Sequence, residues 1–245
     1  MKISYIYLEK TCSTQTFAKK HHQEFPQDQL TCIQANEQTH GKGTNGKSWF
    51  SPKEKNLYVT YVFYLKKPPL ALQLLSQLLA YSIAHTLMSQ NLPIKIKWPN
   101  DLFLSGKKCG GVLTEVVKEK TGLLSIFSGF GLNIELEEKA LEHLDQPATS
   151  LFAHSKKRWD KTLLLQNITE RFAKDLTEFT EKGPRFLQNI QPLLLYLNQN
   201  IKIATPQKII QGRFLGISPE GGCLIKTAAS TKNPLAIFSG NIIPL

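Results

Sequence analysis

A glycine- and lysine-rich stretch, residues 38–58, holds the side chains with the clearest chemical potential. It reads QTHGKGTNGKSWFSPKEKNLY, with Gly41, Gly43 and Gly46 close together, lysines around them and Trp49 near its middle. Glycines allow a backbone to turn sharply and to approach a ligand closely. Successive backbone N–H groups in such a loop can form an anion-binding concavity, and lysines add charge to it. The stretch therefore predicts a phosphate-gripping loop.

Three further groups of residues could join this loop in one site. They are residues 95–101 (KIKWPND), residues 107–111 (KKCGG) and residues 129–133 (GFGLN). In the first group a strand ends at a proline, and an amide and a carboxylate follow directly. In the second, two glycines after two lysines would let a ligand touch the backbone. Each group alone is weak evidence, because similar residues also form ordinary turns and solvated hairpin tips.

Taken in order, these groups resemble the biotin protein ligases, also called biotin–[acetyl-CoA-carboxylase] ligases. The glycine-rich loop of that family, with Trp-x-Ser-Pro and Asn-Leu-Tyr after it, is similar to residues 41–58, and its Lys-Trp-Pro-Asn-Asp motif stands unchanged at residues 97–101. The family's lysine before a small-residue pair resembles Lys108, its Gly-x-Gly-x-Asn resembles residues 129–133, and its Ser-Thr motif resembles residues 13–16. The resemblance covers nearly the whole chain.

The resemblance implies a two-step reaction. The biotin carboxylate attacks the α-phosphate of ATP, giving biotinyl-5′-AMP and pyrophosphate, and a lysine of an acceptor protein then attacks the mixed anhydride. The implied catalytic residues are Lys108, Lys42, Lys47 and Asp101. The implied biotin-binding residues are Ser13, Thr14, Gln38, Gly41, Lys42, Trp49, Lys108, Gly110 and Gly111. The implied ATP- and adenylate-binding residues are Lys42, Thr44, Asn45, Lys47, Trp49, Asn100, Lys108 and Asn133.

Within this scheme Lys108 would hold the biotin carboxylate and an α-phosphate oxygen, and Gln38 would hydrogen-bond the ureido group. Trp49 would cover the apolar ring and tail, and Asp101 would help the incoming lysine to lose a proton or hold it in position. ATP and Mg²⁺ are the implied cofactors and biotin is the substrate. No metal site is expected from side-chain clusters, because the cysteines and histidines lack metal-ligand spacing. The implied partner is a biotin carboxyl carrier domain of acetyl-CoA carboxylase or a similar carboxylase.

The loop departs from the family's usual GRGRxGR pattern. Lys42, Thr44 and Lys47 stand at the three arginine positions, and Gln15 stands where the family commonly has asparagine. Lysine cannot make the planar bidentate contact that arginine makes, and threonine removes a charge altogether. We therefore expect this protein to retain biotinyl-AMP less tightly than relatives with an arginine loop. The same departures leave a degenerate, inactive family member as an alternative.

The strand and helix patterns, together with the resemblance, imply an α+β fold with a mixed β-sheet and packed helices. By resemblance this is a class II synthetase-like catalytic domain over residues 1–197, followed by a small SH3-like β-barrel over residues 198–245. Strand patterns occupy residues 3–8, 30–35, 56–65, 94–98, 102–104, 108–117 and 123–133, and helical patterns occupy residues 17–25, 70–90 and 159–181. Ser13 and Thr14 are typical of helix N-caps. Residues 66–69 end the strand pattern of residues 56–65, and residues 135–149 show no regular pattern.

The composition of the chain limits the classes of function that it could have. The chain has 245 residues, a net charge of +11 and an apolar content of 41%, so it can bury a full core. Its lysines are scattered and arginines are few, which favours a solvated basic surface over a nucleic-acid-binding face. No signal peptide or membrane span is apparent, and the scattered cysteines fit a reducing cytoplasm.

Several alternatives stay open at this point. A lipoate or octanoate ligase of the same superfamily is the nearest, and a basic nucleic-acid-binding module is a different class. The first catalytic strand begins at Ile3, so we expect a form without the family's optional N-terminal DNA-binding domain and expect no DNA partner. A monomer and a homodimer are equally compatible with the sequence.

Overall fold

A seven-stranded mixed sheet forms the centre of the protein. The computed structural model describes residues 1–66, 71, 73–144, 146–228 and 233–245. The strands are β1 (Lys2–Thr11), β2 (Gln29–Gln38), β3 (Asn56–Leu65), β4 (Ile94–Lys97), β5 (Asp101–Leu104), β6 (Lys107–Lys118) and β7 (Leu124–Asn133), in the spatial order β1-β2-β3-β7-β6-β5-β4. β1 and β2 are parallel, and the other pairs are antiparallel. The predicted α+β class with a mixed sheet is confirmed.

Helices cover both faces of this sheet. They are α1 (Thr14–His21), α2 (Gln73–Met88), α3 (Glu138–Leu141), α4 (Leu151–Ser155), α5 (Lys161–Lys182) and α6 (Phe186–Ile190). Side chains alternate along β3, so Tyr61 and Phe63 pack with α2 and α5 in the main core, while Val62 packs against Ala18 of α1 in a smaller one. Helix α2 is buried along most of its length. Among the described residues, no helix is long and apolar enough to cross a lipid bilayer.

Several element boundaries differ from the sequence expectations. The parallel ladder of β1 and β2 continues to Thr11 opposite Gln38, so Gln38 closes a strand and does not open a loop. Helix α5 begins after Asp160, whose carboxylate accepts a hydrogen bond from the Leu163 N–H and caps the helix. The irregular segment contains the short helix α3. The predicted break at residues 67–69 and the predicted helix start at residue 70 lie outside the described residues.

The predicted position of the Ser-Thr motif at the start of a helix is confirmed, but the expected side-chain cap is not formed. Ser13 occupies the N-cap position of α1, but its side chain makes no capping hydrogen bond. The backbone N–H and the hydroxyl of Thr14 donate instead to Gln38 Oε1, at 2.9 and 3.2 Å. The motif therefore ties the start of α1 to the end of β2.

A second sheet follows the seven-stranded sheet in the chain. It is antiparallel and consists of β8 (Asn200–Ala204), β9 (Ile209–Ile217), β10 (Cys223–Lys226), β11 (Leu235–Ile237) and β12 (Asn241–Pro244), in the order β11-β10-β9-β8-β12. Its buried side chains, among them Ile203 and Phe214, belong to the same apolar cluster as α2 and the main sheet. The predicted small C-terminal β unit is thus present and packed against the rest of the protein.

The turn before β10 makes the polar part of this contact. The carbonyl of Gly221 accepts hydrogen bonds from Gln77 Nε2 at 2.7 Å and from Trp98 Nε1 at 3.1 Å. Beside it, Gln73 Nε2 donates to the Glu220 carbonyl at 3.0 Å. Gln77 and Trp98 are almost wholly buried. One backbone carbonyl in the turn before β10 therefore satisfies two buried donors, one on α2 and one directly after β4.

Cysteine chemistry should separate sharply by burial. All four cysteines are free thiols; Cys12 is exposed, and burial raises the pKa of Cys32, Cys109 and Cys223 to about 12. Because the thiolate is the reacting species, the buried three should be inert at pH 8. We expect iodoacetamide to modify the folded protein once, at Cys12, as measured by intact mass and peptide mapping. Modification of a second cysteine before unfolding would contradict this burial pattern.

Candidate active site

A cleft opens between the glycine loop, the start of α1 and the middle of the sheet. Its lining comes from the α1 start, the end of β2, the loop, and strands β3, β5, β6 and β7. The lining residues are Ser13, Thr14, Gln15, Gln38, Lys42, Gly43, Thr44, Trp49, Val59, Thr60, Asp101, Lys108, Gly111, Val112, Leu113, Gly129, Phe130 and Gly131. Residues from all four sequence groups therefore meet in one place.

One end of the cleft is a buried network of neutral polar groups. The Thr60 hydroxyl lies 2.9 Å from Thr14 Oγ1 and 3.1 Å from Gln15 Oε1, while Gln15 Nε2 donates to the Phe127 carbonyl at 3.0 Å. Thr14 in turn donates to Gln38. Buried polar groups must be paired to avoid a large desolvation cost, so this network holds each side chain in one orientation. The arrangement suits a small neutral ligand group with its own donors and acceptors.

Trp49 forms the wall above the sheet. Its indole lies so close to Gly131 that a β-carbon there would fall 2.3 Å from two indole atoms, Cε2 and Nε1. The indole N–H is buried and has no hydrogen-bond partner among the described residues. The Lys108 ammonium lies 5.7 Å from the centre of the indole ring. Only a glycine at position 131 lets the indole approach the sheet this closely.

A partly buried ion pair marks the opposite end of the cleft. Lys108 Nζ lies 2.7 Å from Asp101 Oδ1, and the two side chains are 15% and 24% exposed. Strands β5 and β6 bring them together, because Asp101 pairs with Gly111 in the ladder. A β-carbon at position 111 would lie 3.1 Å from Asp101 Oδ1 and 3.4 Å from Lys108 Cε. A desolvated ammonium beside a small-residue surface is suited to hold a carboxylate or a phosphate oxygen.

Lys97 adds a second ammonium near this ion pair. Burial lowers the pKa of Lys97, Asp101 opposes the change, and the positive charges of Lys108 and Lys47 add to it. The side chain lies over the Phe103 ring, with Nζ 5.6 Å from its centre. The cationic character of this end therefore comes from three lysines and is only partly offset by one carboxylate.

Backbone hydrogen bonds shape the glycine loop. The Gly43 N–H donates to the Lys47 carbonyl at 2.7 Å, and the Trp49 N–H donates to the Gly41 carbonyl at 2.8 Å. Between these bonds, Asn45 adopts a left-handed backbone conformation with φ of 57°. Lys42, Thr44 and Lys47 are exposed along it. The loop thus presents its cationic side chains at the mouth of the cleft.

Nine of the predicted site residues line the cleft: Ser13, Thr14, Gln38, Lys42, Thr44, Trp49, Asp101, Lys108 and Gly111. The other six lie beside it: Gly41, Asn45, Lys47, Asn100, Gly110 and Asn133. Asn100 is buried and its amide donates to the Val112 carbonyl, which fixes the approach to β5. Asn133 Nδ2 donates to the Thr149 carbonyl at 3.1 Å. Gly110 packs against the Gly131 carbonyl.

Sequence reasoning missed part of the polar end. Thr60 stands inside a strand of aromatic and β-branched residues, where nothing marks it as a ligand-facing hydroxyl. Gln15 was noted only as a departure from the family pattern, yet it lines the cleft. Ser51, in the Trp-x-Ser-Pro motif, bonds the predicted ligand-binding residue Gln38. Within the described ranges, no three His, Cys, Asp or Glu side chains are grouped so that they could hold a metal ion.

Comparison with known proteins identifies the family. The sequence pattern of the Biotin/lipoate A/B protein ligase family matches residues 7–133, and that of the Biotin protein ligase C terminal domain matches residues 196–241. The structure of a biotin protein ligase from Aquifex aeolicus in complex with biotin and ATP superposes with a TM-score of 0.82 at 30% identity, covering 98% of this chain and 97% of that one.

Two curated relatives are larger than this chain. The bifunctional ligase/repressor BirA of Bacillus spizizenii is 27% identical over 218 residues, which is 86% of this chain and 65% of that protein. The protein of the same name from Escherichia coli is 29% identical over 197 residues, which is 80% of this chain and 61% of that protein. The chain thus spans slightly less than two thirds of the length of these relatives. On the family match and the structural match together, the chain belongs to the biotin/lipoate A/B protein ligase family.

Proposed function

We propose that this protein is a biotin protein ligase, which joins biotin to AMP and then to a lysine of a carrier protein. The arrangement that carries the proposal is a cleft with two different ends. A neutral hydrogen-bonding end lies around Thr14 and Gln38, and a cationic end lies around Lys108, with Trp49 above the sheet. Biotin has the matching order of groups: a neutral ureido ring, an apolar body and chain, and a terminal carboxylate.

The cationic end would serve the first step. The biotin carboxylate and the α-phosphate of ATP are both anions, so bringing them together requires positive charge that is already in place. Lys108 is buried enough to be poorly screened and lies beside the backbone of Gly111, where a carboxylate could approach. Lys42 and Thr44 at the cleft mouth would face the phosphates, and Lys47 would join them from the exposed side of the loop. Mg²⁺ would arrive with the triphosphate and offset part of its charge.

Asp101 has a separate role in this proposal. In the structure its carboxylate is paired with Lys108 at 2.7 Å. When an anionic ligand occupies Lys108, that carboxylate becomes available to accept a hydrogen bond from the incoming amine. Asn100 and Asn133 support this end through the backbone, since each of their amides donates to a main-chain carbonyl. We infer that they act on adenylate binding by shaping the cleft.

A lipoate or octanoate ligase is the nearest alternative from the same family. A saturated acyl chain or a dithiolane offers no partner to the polar groups of Thr14, Gln38 and Thr60. Thr14 and Thr60 are already paired within the network, but the second Nε2 hydrogen of Gln38 has no partner among the described residues. An apolar group at this end would leave that hydrogen unpaired, at a cost of about 1–3 kcal/mol. The polar end therefore favours a ureido ring over a lipoyl or octanoyl group.

One assay separates these proposals. ATP–pyrophosphate exchange should be measured with biotin, lipoate and octanoate in turn, since exchange reports adenylate formation alone. We expect exchange with biotin only. Exchange with lipoate or octanoate in place of biotin would overturn the substrate assignment, and no exchange with any acid would favour the degenerate alternative. A DNA or RNA titration without salt-dependent binding would dispose of the nucleic-acid-binding alternative.

We further propose the setting in which the protein works. The carrier substrate would be a biotin carboxyl carrier domain of a carboxylase, and the net charge of +11 would assist encounter with an acidic partner. Four free thiols fit a reducing cytoplasm. We place the division between the catalytic unit and the C-terminal unit at residues 197 and 198, just before β8 begins at Asn200.

Substituting Thr44→Arg should slow release of the adenylate. Thr44 lines the cleft where the family loop usually carries an arginine, so the variant restores a cation that can form a bidentate phosphate contact. We expect about a tenfold slower dissociation of biotinyl-AMP, since hydrogen bonds to charged groups contribute about 1.5–3 kcal/mol. Release can be followed by trapping the labelled adenylate, with Ser48→Arg as the matched control, since Ser48 is exposed on the same loop and lies outside the cleft lining. Equal release rates for Thr44→Arg and the native protein would remove the hypothesis.

A further inference from the structure

We propose that Ser51 is a positioning residue that holds the Gln38 side chain in the orientation needed to bind the ligand, and so sets recognition at the polar end of the cleft. The inference rests on the proposed function for its ligand, although the contacts themselves do not depend on it. Ser51 lies outside the cleft lining and is 7% exposed. It follows Trp49 by two residues, so it can influence the cleft through the lining residues that it contacts.

Ser51 joins the glycine loop to the end of β2 by three hydrogen bonds. Gln38 Nε2 donates to Ser51 Oγ at 2.9 Å, and Ser51 Oγ donates to the Trp49 carbonyl at 2.9 Å. The backbone N–H of Gln38 also donates to the Ser51 carbonyl, at 3.3 Å. The residue that would bind the ureido group and the residue that would cover the biotin ring are therefore linked through one hydroxyl.

The number of hydrogens on each group allows only one arrangement of donors and acceptors in this link. Gln38 Oε1 accepts from the Thr14 N–H, a donor that cannot be reversed, so the amide nitrogen must face Ser51. An amide nitrogen only donates, so Ser51 Oγ must accept, and its own single hydrogen goes to the Trp49 carbonyl. One Nε2 hydrogen of Gln38 then remains without a partner among the described residues. Gln38 lines the cleft, where this hydrogen can be donated to a ligand carbonyl.

Gly41 closes the same junction from the other side. A β-carbon at position 41 would fall 2.4 Å from Ser51 Oγ, 2.5 Å from the Trp49 carbonyl oxygen and 3.0 Å from Gln38 Nε2. The first two of these distances are far inside van der Waals contact, so the junction has room for a glycine only. The predicted importance of Gly41 for biotin binding is explained here by its contact with the positioning group. Its backbone need not touch the ligand.

The proposal predicts a specific kinetic pattern. Removing one neutral hydrogen bond from a buried amide costs about 0.5–1.5 kcal/mol, so Ser51→Ala should raise KM for biotin about three- to tenfold in ATP–pyrophosphate exchange. KM for ATP should not change, and Ser51→Thr, which keeps the hydroxyl, should restore KM for biotin. If Ser51 acts through Gln38, Ser51→Ala should have little further effect on KM for biotin in a Gln38→Ala background. An equal fold-increase in KM for biotin on Ser51→Ala in the native and the Gln38→Ala backgrounds would overturn the proposal.

A second measurement tests the positioning without using a ligand. The Gln38 side-chain amide protons can be assigned in NMR spectra by their loss in Gln38→Ala, and the one donated to Ser51 Oγ should exchange slowly with water in the native protein. That proton should exchange faster in Ser51→Ala and slowly again in Ser51→Thr. Unchanged exchange in Ser51→Ala would overturn the role of Ser51 whatever the substrate is. If the native protein adenylates none of the three acids, the proposed function is wrong. The amide exchange would still decide the role of Ser51.

Discussion

Lys108→Ala should abolish biotin-dependent ATP–pyrophosphate exchange. The substitution removes the buried ammonium at the cationic end of the cleft and leaves the Asp101 carboxylate, 24% exposed, without its partner. That carboxylate would then repel both the biotin carboxylate and the α-phosphate. Losing one preorganised stabilising group typically costs about 10²–10³-fold in rate, and the added repulsion takes the loss further. Exchange should be measured at saturating ATP and a wide range of biotin concentrations.

Lys107→Ala is the matched control for this variant. Lys107 precedes Lys108 on β6, carries the same charge and is exposed. Its removal lowers the net charge by the same amount and should leave exchange close to the native rate. Persistent exchange in Lys108→Ala would show that Lys108 is not the carboxylate-binding group. Equal loss in both variants would point to overall charge and away from a local contact.

Gly131→Ala should have the next largest effect. The new methyl group would meet the Trp49 indole at 2.3 Å, far inside van der Waals contact, so the indole must move by about 1 Å or more. Misplacement of this size can cost about 100-fold in a binding or catalytic parameter. We expect KM for biotin to rise by about that factor. Calorimetric titration with biotin should show the same loss, and the circular dichroism spectrum should stay native.

The cause can be isolated by making room for the methyl group. Trp49→Phe replaces the indole with a smaller ring, so the double variant Gly131→Ala with Trp49→Phe should bind biotin better than Gly131→Ala alone. Trp49→Phe by itself serves as the reference for the cost of losing the indole. Native affinity in Gly131→Ala, or no recovery in the double variant, would show that the contact of Trp49 with Gly131 does not control the cleft.

Local sequence patterns predicted the elements of this fold more accurately than their ends. Strand patterns depend on side-chain alternation within the segment, and they located β3, β6 and β7 closely. The extension of β1 and β2 depends on pairing between residues 27 apart in the chain, as for Thr11 and Gln38, and alternation within one strand carries no information about it. The start of α5 was displaced because the Asp160 cap acts on Leu163, which is exposed and not part of the buried face.

In the candidate site, too, the sequence predicts some residues and not others. Lys108, Asp101 and Trp49 could be predicted because they stand in motifs whose order resembles a family. Thr60 and Gln15 could not, since their contribution comes from a three-dimensional network with Thr14 that joins β3 to α1. The six predicted residues that lie beside the cleft show the opposite case, because they stand in the motifs but do not line the cleft. A motif marks residues that shape a site and residues that touch the ligand alike, and only geometry distinguishes them.

The Gly221 carbonyl has a consequence for the cooperativity of the whole chain. It accepts hydrogen bonds from Gln77 on α2 and from Trp98, three residues before Asp101. Separating the C-terminal sheet from the rest of the protein would break both hydrogen bonds and expose the apolar surface around them, so partial unfolding of the C-terminal unit alone is unfavourable. The two units should therefore melt in a single transition, and any substitution that loosens the turn at residues 218–221 should be felt at Asp101. Although it lies outside the cleft, the C-terminal sheet is in this sense part of the framework that keeps the Asp101 carboxylate in place.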